Sequence, residues 1–482
     1  MNGLCRILPL LFLSIALLGL AGCAVDQKKE VETYRSLTRI GPVDPYEPGT
    51  PLTLRRALLL TNQIDENLAS QGEKYLQAII QQRRAAATFL PTVNLVPVYS
   101  RRERTGSSGN GDGGSSNNSS SSTFDVPVEG SINLFNGFSD LNRAWRDEYV
   151  TRQRRFELTN VQEQILLDAA SVFYEVLRSE ASVRVLESAV QLQSERLRDA
   201  RVRLDAGIVD ALVVSQTEAQ VAQTQSTLIS ARNDVVQARS RLALLTGAEV
   251  HAAVLVDTLD PPAPPAMAEW MTQAFERRDD LSAAEQAVVA AAYDVRAAIG
   301  QYYPSVTLDL TAYLYRESSP DARTWEGALR ANLPIFSAGL IEADVREAWS
   351  VLRQAILARN RARRTVRADV EQAYAAYVAS TQRLAQLEIT VRAADDALRQ
   401  AEQQYRAGRA TNLERIQAQD ADIQAGLQLA SEEFDHKLFY LTLLQRAGVL
   451  REQVETIPPS PPTTRPRPAL IDRQPTTTDT TP

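Results

Sequence analysis

The chain has 482 residues, with 59 acidic side chains against 52 basic ones and a formal net charge of −7. That balance argues against a nucleic-acid partner, which selects for a basic face. Only 2 cysteines and 2 histidines occur, so a disulfide framework, a thiolate metal site and a histidine-based triad are not expected. His251 and His436 lie in different contexts and read as surface residues. No Cys, His, Ser or paired carboxylates fall at catalytic spacing, which argues against an enzyme and against a bound metal or cofactor.

The chain opens with Arg6 and an apolar run from Ile7 to Leu20, broken by Pro9 and Ser14. The run is too short to span a bilayer comfortably and has the proportions of a secretory signal. It ends Leu20-Ala21-Gly22-Cys23, which resembles the lipobox of bacterial lipoproteins. Residues 1–22 are then a removed signal peptide, and Cys23 carries covalent lipid. Acylation of the new N-terminus as well gives stable anchoring where one chain would be marginal. Ala24 follows the cysteine instead of Asp, so the inner-membrane retention signal of enteric lipoproteins is absent. Residues 23–51 read as the lipid-anchored segment.

Two copies of one plan follow, residues 52–247 and 268–450, joined by a linker at 248–267. Phe135 answers to Phe336, Gly207 to Gly408 and Gly247 to Gly448, each at an offset of 201. Each copy starts with an amphipathic helical stretch (52–90 and 268–302) that ends before Pro91 or Pro304, as proline demands. Strict alternation then predicts strands at about 92–101, 123–135, 305–316 and 324–336. The first is the weakest, because Val96 and Val98 blur its alternation. The hairpin loop Gly106–Ser122 is almost entirely Gly, Ser and Asn and cannot pack a core. Its counterpart, Glu317–Arg323, is short.

Long helical hairpins come next, at 138–247 and 340–450. Gly137 to Gly207 is 70 residues, a rod of roughly 100 Å at helical rise. Its seam Val183, Leu186, Val190, Leu197, Ala200, Leu204 steps by threes and fours, as in a coiled coil, and maps onto Leu384, Leu387, Val391, Leu398, Ala401, Tyr405. The returning helices carry Leu212, Ala219, Ala222, Ile229 and Leu413, Ile416, Ile423, Leu427, Ala430. A glycine at each reversal, Gly207 and Gly408, suits a left-handed helix end. The remainder, 451–482, is rich in Pro and Thr and reads as a disordered tail.

Strands of about ten residues with one apolar and one polar face fit a membrane β-barrel. Four strands cannot close one, since about eight is the practical minimum, and open edges in lipid stay unsatisfied. Three copies, giving twelve strands, are the simplest closed solution. The expected fold is mostly α with a membrane β-barrel part: a duplicated helix–β-hairpin–long α-hairpin, forming a trimeric 12-stranded barrel continued by an α-helical periplasmic tunnel.

This ordered set resembles the TolC-type outer-membrane factors. The resemblance rests on Leu52-Thr53-Leu54, Leu90-Pro91, Tyr303-Pro304, Leu134-Phe135-Asn136-Gly137, Ile335-Phe336-Ser337-Ala338-Gly339, the Ala-Gly turns and Leu244-Leu245-Thr246-Gly247. It implies a homotrimeric channel in the outer membrane. Such a channel works with a periplasmic adaptor and an inner-membrane pump or exporter, as the exit duct of tripartite efflux or type I secretion. Gly207 and Gly408 would then mark the tips where the adaptor docks. Entrance acids would fall at Glu414 and at Gln417, which is not acidic, with Asp205 and Asp210 flanking the other tip. The segment after Cys23 lacks the Pro-rich, Tyr-containing pattern of multidrug-pump partners. A periplasmic coiled-coil lipoprotein scaffold without a pore is the rival reading; it explains the heptads but not the strands.

Overall fold

The computed structural model describes residues 26–42, 46–104, 119–317 and 324–457. The predicted signal peptide, Cys23, residues 106–118 of the Gly/Ser/Asn loop and the chain from 458 onward lie outside the described residues. The described chain forms two compact units. One holds the residues up to Tyr34 with 73–155 and 283–360; the other holds 35–72, 156–282 and the residues from 361. Helices run over Gln27–Thr38 (α1), Leu54–Ile64 (α2), Glu66–Ala87 (α3), Ser139–Asp205 (α4), Ala211–Thr246 (α5), Met267–Arg277 (α6), Asp279–Gly300 (α7), Leu340–Arg406 (α8), Asn412–Arg446 (α9) and Leu450–Val454 (α10). Strands are Leu52–Thr53 (β1), Thr92–Leu95 (β2), Val98–Arg104 (β3), Ser119–Asn136 (β4), Leu255–Val256 (β5), Ser305–Arg316 (β6) and Trp325–Asn332 (β7).

Several boundaries depart from the sequence reading, each for a local reason. The stretches 52–90 and 268–302 are each two helices. They break at Asp65 and Arg278, whose ψ values of 121° and 118° are extended. These corners are 213 residues apart, as are Pro91 and Pro304, whereas landmarks beyond the hairpins are 201 apart. The second hairpin is therefore the shorter one. Strand 92–101 is two strands, because Pro97 has no N–H to give the ladder, and the second piece reaches Arg104. β4 starts at Ser119, inside the predicted loop, and β7 stops at Asn332 ahead of Pro334. Residues 23–51 contain helix α1, and the linker contains β5. The predicted disordered tail begins instead with α10, and Leu450, Val454 and Ile457 are buried.

In the first unit the strands form one sheet, with β2 and β3 both pairing β4, then β6, then β7, all antiparallel. Register puts Asn94, Glu129, Thr311 and Glu326 in one row of the polar face. Val93, Gly130, Leu310 and Gly327 form the next row, on the apolar face. Val96 and Val98 fall on the polar face, which is why they blur the alternation. Two bulges, at Leu134 of β4 and Leu314 of β6, re-aim the chain. They bring Phe135 and Tyr315 onto the apolar face, so rings stand at both of its ends. Phe124–Tyr315 and Phe135–Phe138 contact at 5.9 and 5.0 Å. Trp325 and Leu329 of this face are 67% and 68% exposed. An apolar face with aromatic ends and no protein cover is what a bilayer covers.

Each hairpin passes into its long helix through two left-handed residues, Gly137 and Phe138 (φ 55° and 60°) or Ala338 and Gly339 (φ 51° and 81°). At the first turn the backbone also lies against Gly300, and Ser139 Oγ donates to the Ala297 carbonyl at 2.8 Å. Alongside, Tyr293 of α7 stacks between Trp145 and Tyr149 of α4, at 6.3 and 5.5 Å.

The second unit is helical, with one large core. Leu166, Ala169, Phe173 and Tyr174 of α4 meet Val366, Val370 and Tyr377 of α8 and Leu441, Leu443 and Leu444 of α9. β1 and β5 pair in parallel, Leu52 opposite Leu255, and place the linker in this core. Further along, the predicted seams do pack. Leu186 sits with Leu228 and Ala231, and Val391 sits with Ala425 and Leu429.

Candidate functional site: the two helix-hairpin tips

Both reversals are built alike. Gly207 N–H donates to the Leu204 carbonyl at 2.9 Å and Ile208 N–H to the Arg203 carbonyl at 2.8 Å. Gly408 and Arg409 repeat this with Tyr405 and Gln404, at 3.0 and 2.8 Å. This double bond pattern closes a helix on a left-handed residue. The φ values are 71° and 70°, and a Cβ at either position would touch nothing. Glycine is there for its backbone and not for space.

The helices leave the two tips differently. Thr411 caps α9 with a full capping box: Glu414 N–H donates to Thr411 Oγ1, and Glu414 Oε2 accepts from the Thr411 N–H at 2.7 Å. Hydrogen bonds from Thr411 hold the exposed Glu414 carboxyl below its ordinary range, so it stays ionised. Asp210, the counterpart of Thr411, occupies the N-cap of α5 with no side-chain cap bond. Asp205, Asp210, Glu414 and Gln417 are all exposed.

The sequence reading missed what lies behind the tips. It placed an apolar seam on α9 from Leu413 and Ile416, yet Leu413 is 55% exposed, and Asn412, Arg415, Gln419 and Asp422 are buried instead. Their spacing of three and four is the available signal: a polar stripe at core periodicity. Arg196 of α4 reaches this stripe, pairing with Glu402 of α8 and donating to Gln419. Arg415 donates to Asn412 Oδ1 at 2.7 Å and lies over the Tyr405 ring at 4.5 Å. Asn412 Nδ2 donates to Gln216 of α5 at 3.0 Å, and Gln220 Nε2 to Asp420 at 2.6 Å. Every long helix thus enters one polar cluster.

That cluster is electrostatically uneasy. Burial first, then Arg415 and Arg406, push the Arg196 guanidinium down to about 10. Arg415 Nε, Gln419 Nε2 and both polar atoms of Gln193 are buried without a hydrogen-bond partner. Each such atom carries a desolvation cost of about 1–3 kcal/mol. The apolar seams above the tips hold by burial, whereas this stripe exchanges its bonds for water at small net cost.

The histidines lie away from the tips. His251 is exposed. His436 is half-buried: it stacks on Tyr377 at 5.0 Å, with Nδ1 3.2 Å from Ser380 Oγ. Ser380 is buried and hydrogen-bonded to Glu432 at 2.6 Å. Among the described residues no group of His, Cys, Asp and Glu is arranged to hold a metal, and no helix is long and apolar enough to cross a membrane.

The sequence model of the family described as "Outer membrane efflux protein" matches residues 69–248 and 270–437, one stretch in each repeat. The chain belongs to the outer membrane efflux protein family. It is 25% identical over 357 residues to the outer membrane efflux protein BepC of Brucella suis, covering 72% of this chain and 77% of that one. With the cation efflux system protein CusC of Escherichia coli O6:H1 it shares 22% over 360 residues, 71% and 76% of the two chains. The fold matches the Vibrio cholerae outer membrane protein VceC with a TM-score of 0.72, at 20% identity, over 82% of this chain and 96% of that one. It matches the Campylobacter jejuni CmeC outer membrane channel with a TM-score of 0.74, at 14% identity, over 86% and 92%. This efflux protein therefore resides in the outer membrane and carries the channel fold, with its sheet as the membrane part.

Proposed function

We propose that the chain assembles as a homotrimer whose twelve strands close one barrel, anchored by lipid on Cys23, as the exit duct of a tripartite efflux system. The observation that carries this is the open sheet. Among the described residues β7 and the β2–β3 side pair with nothing further, and the apolar face is bare. Unpaired edges cannot persist in lipid, and two further copies satisfy them. A pore-free scaffold leaves such a sheet without a purpose. Energy comes from an inner-membrane pump reached through a periplasmic adaptor that docks at the Gly207 and Gly408 tips; the duct itself performs no catalysis. Efflux of small molecules or metal ions fits better than protein secretion, in line with the names of the relatives.

In this reading the polar cluster is the closure of the periplasmic end. Its bonds are directional and replaceable by water, so the tips separate without exposing an apolar core. Arg196→Ala removes the contacts to Glu402 and Gln419 together. The expected result is a several-fold rise in single-channel conductance in planar bilayers with unchanged trimer content. Conductance at the wild-type level would remove the cluster from the closure.

The capping box complicates a test of Glu414 by alanine, which loses the charge and the bond to Thr411 at once. Glutamine at this position keeps a capping box. Glu414→Gln is expected to weaken cation preference, read as a smaller reversal potential across a salt gradient, at unchanged thermal stability. An unaltered reversal potential would exclude Glu414 from the entrance.

A further inference from the structure

The two hairpins of the sheet share one register. Advancing β2 and β3 by 213 positions and β4 by 201 carries Leu95 opposite Val128 onto Leu308 opposite Leu329. The same shifts carry Val98 opposite Asp125 onto Thr311 opposite Glu326. These are the offsets at which Pro91 and the tip glycine Gly207 recur as Pro304 and Gly408. Within the chain the hairpins meet at one seam, where β4 runs antiparallel to β6 with Pro127 opposite Tyr313 and Ser131 opposite Asp309.

The two free edges repeat the two sides of that seam. β7 is the counterpart of β4, and the β2–β3 side is the counterpart of β6. Exposure marks the difference in cover. Phe135 lies along β6 beside Val306 and is half-buried, whereas its counterpart Phe336 is 88% exposed and the adjacent Ile335 93%. One chain cannot bring its own edges together, because a sheet this narrow does not close on itself. A second copy supplies the missing side.

Resting on the trimer proposed above, we propose that β7 of one copy pairs antiparallel with β2–β3 of the next in the register of the β4–β6 seam. The two offsets then set Ala328 opposite Ser100, and Asn332 opposite Val96, of the neighbouring copy. The faces agree with this register. A slip of one residue would turn every apolar side chain of β7 against a polar one. Instead Leu329 falls opposite Tyr99 on the apolar face and Arg330 opposite Val98 on the polar face, so both faces run on unbroken from copy to copy. The backbone agrees as well. Val96 N–H donates to the Pro127 carbonyl at 3.1 Å, towards β4. In an alternating antiparallel ladder Val96 and Ser100 therefore turn their bonding groups inward, and Leu95 and Tyr99 turn theirs to the free edge.

Opposed residues that share no backbone bonds are the closer ones in such a ladder. That suits a disulfide, whose Cβ atoms stand about 3.5–4.5 Å apart. The test oxidises the full chain in detergent with copper phenanthroline and separates it without reductant. Ala328→Cys with Ser100→Cys, and Asn332→Cys with Val96→Cys, should each give bands of two and three linked chains that reductant abolishes. The exchanged combinations, Ala328→Cys with Val96→Cys and Asn332→Cys with Ser100→Cys, are four residues out of register, about 14 Å. They should link at least tenfold less. Two in-register pairs are read so that failed assembly of one leaves the other decisive. Native mass spectrometry of the unoxidised samples tells the register from the trimer. A three-chain mass with no in-register link, or with exchanged pairs linking equally well, overturns the register and leaves the trimer standing. A one-chain mass for the unsubstituted protein overturns both.

Discussion

Lys437→Met is expected to destabilise the helical unit by about 3–5 kcal/mol, the cost of leaving a buried charge without its partner. Lys437 is one of four lysines in an arginine-rich chain and is 7% exposed. Its ammonium pairs with Asp257 and donates to the Leu259 carbonyl at 2.8 Å. Asp257 also accepts from Tyr174 Oη at 3.2 Å and from the Leu259 N–H at 3.1 Å. The compact ammonium donates to both oxygens from one point. The residues it holds belong to the crossover between the repeats, which Tyr377 also binds by donating to the Pro262 carbonyl. The check is the shift of the urea midpoint for Lys437→Met against Arg232→Met, whose exposed pair with Glu187 at 2.7 Å is worth under about 1 kcal/mol. Adding Asp257→Leu to Lys437→Met should recover part of the loss, because it removes the orphaned charge. Equal midpoints for the two single variants would show that the buried pair does not anchor the crossover.

Gly137→Ala should cost about 3 kcal/mol or more, from a left-handed backbone (about 1–2 kcal/mol) and a forced displacement (about 1–3 kcal/mol). A Cβ there would stand 2.0 Å from the Gly300 carbonyl oxygen and 2.8 Å from Tyr303 Cβ. The first obstacle is backbone, so no rotamer change relieves it. Gly339 in the second repeat also has a positive φ, but a Cβ there meets open space. Gly339→Ala should cost only the backbone part, about 1–2 kcal/mol. Thermal midpoints of the two variants measured side by side check the contrast. A Gly137→Ala protein as stable as Gly339→Ala would mean that the close approach at Gly300 is not needed to join the sheet to α4.

Much of this architecture is written in periodicities. Period two gave the strands, and the threes and fours of Leu186 and Val391 gave the packed seams, since both patterns record which face meets other atoms. The prolines gave the helix ends at Pro91 and Pro304. Pattern failed where a single residue overrides it. Asp65 and Arg278 split helices whose apolar rhythm continues past them. Pro97 and Pro334 cut strands by withholding an N–H. Bulges at Leu134 and Leu314 swap faces without any mark in composition.

The tips were half legible. Gly207 and Gly408 announce the reversals, because only the backbone freedom of glycine explains them. The cluster of Arg196, Glu402, Arg415 and Gln419 stayed hidden because a polar stripe on a helix ordinarily faces water. Only three-dimensional packing shows that Asn412 and Asp422 face inward. Glu414 was marked by its position after the tip glycine; its capping partner Thr411 is three residues away, a spacing that sequence also carries.

This chain should line a pore only as a closed assembly of three. Native mass spectrometry of the detergent-extracted protein, followed by planar-bilayer recording of the same fraction, tests it most directly. The expected result is a mass of three chains and stable ion conduction from that species. A monomeric or water-soluble species that does not conduct would contradict it.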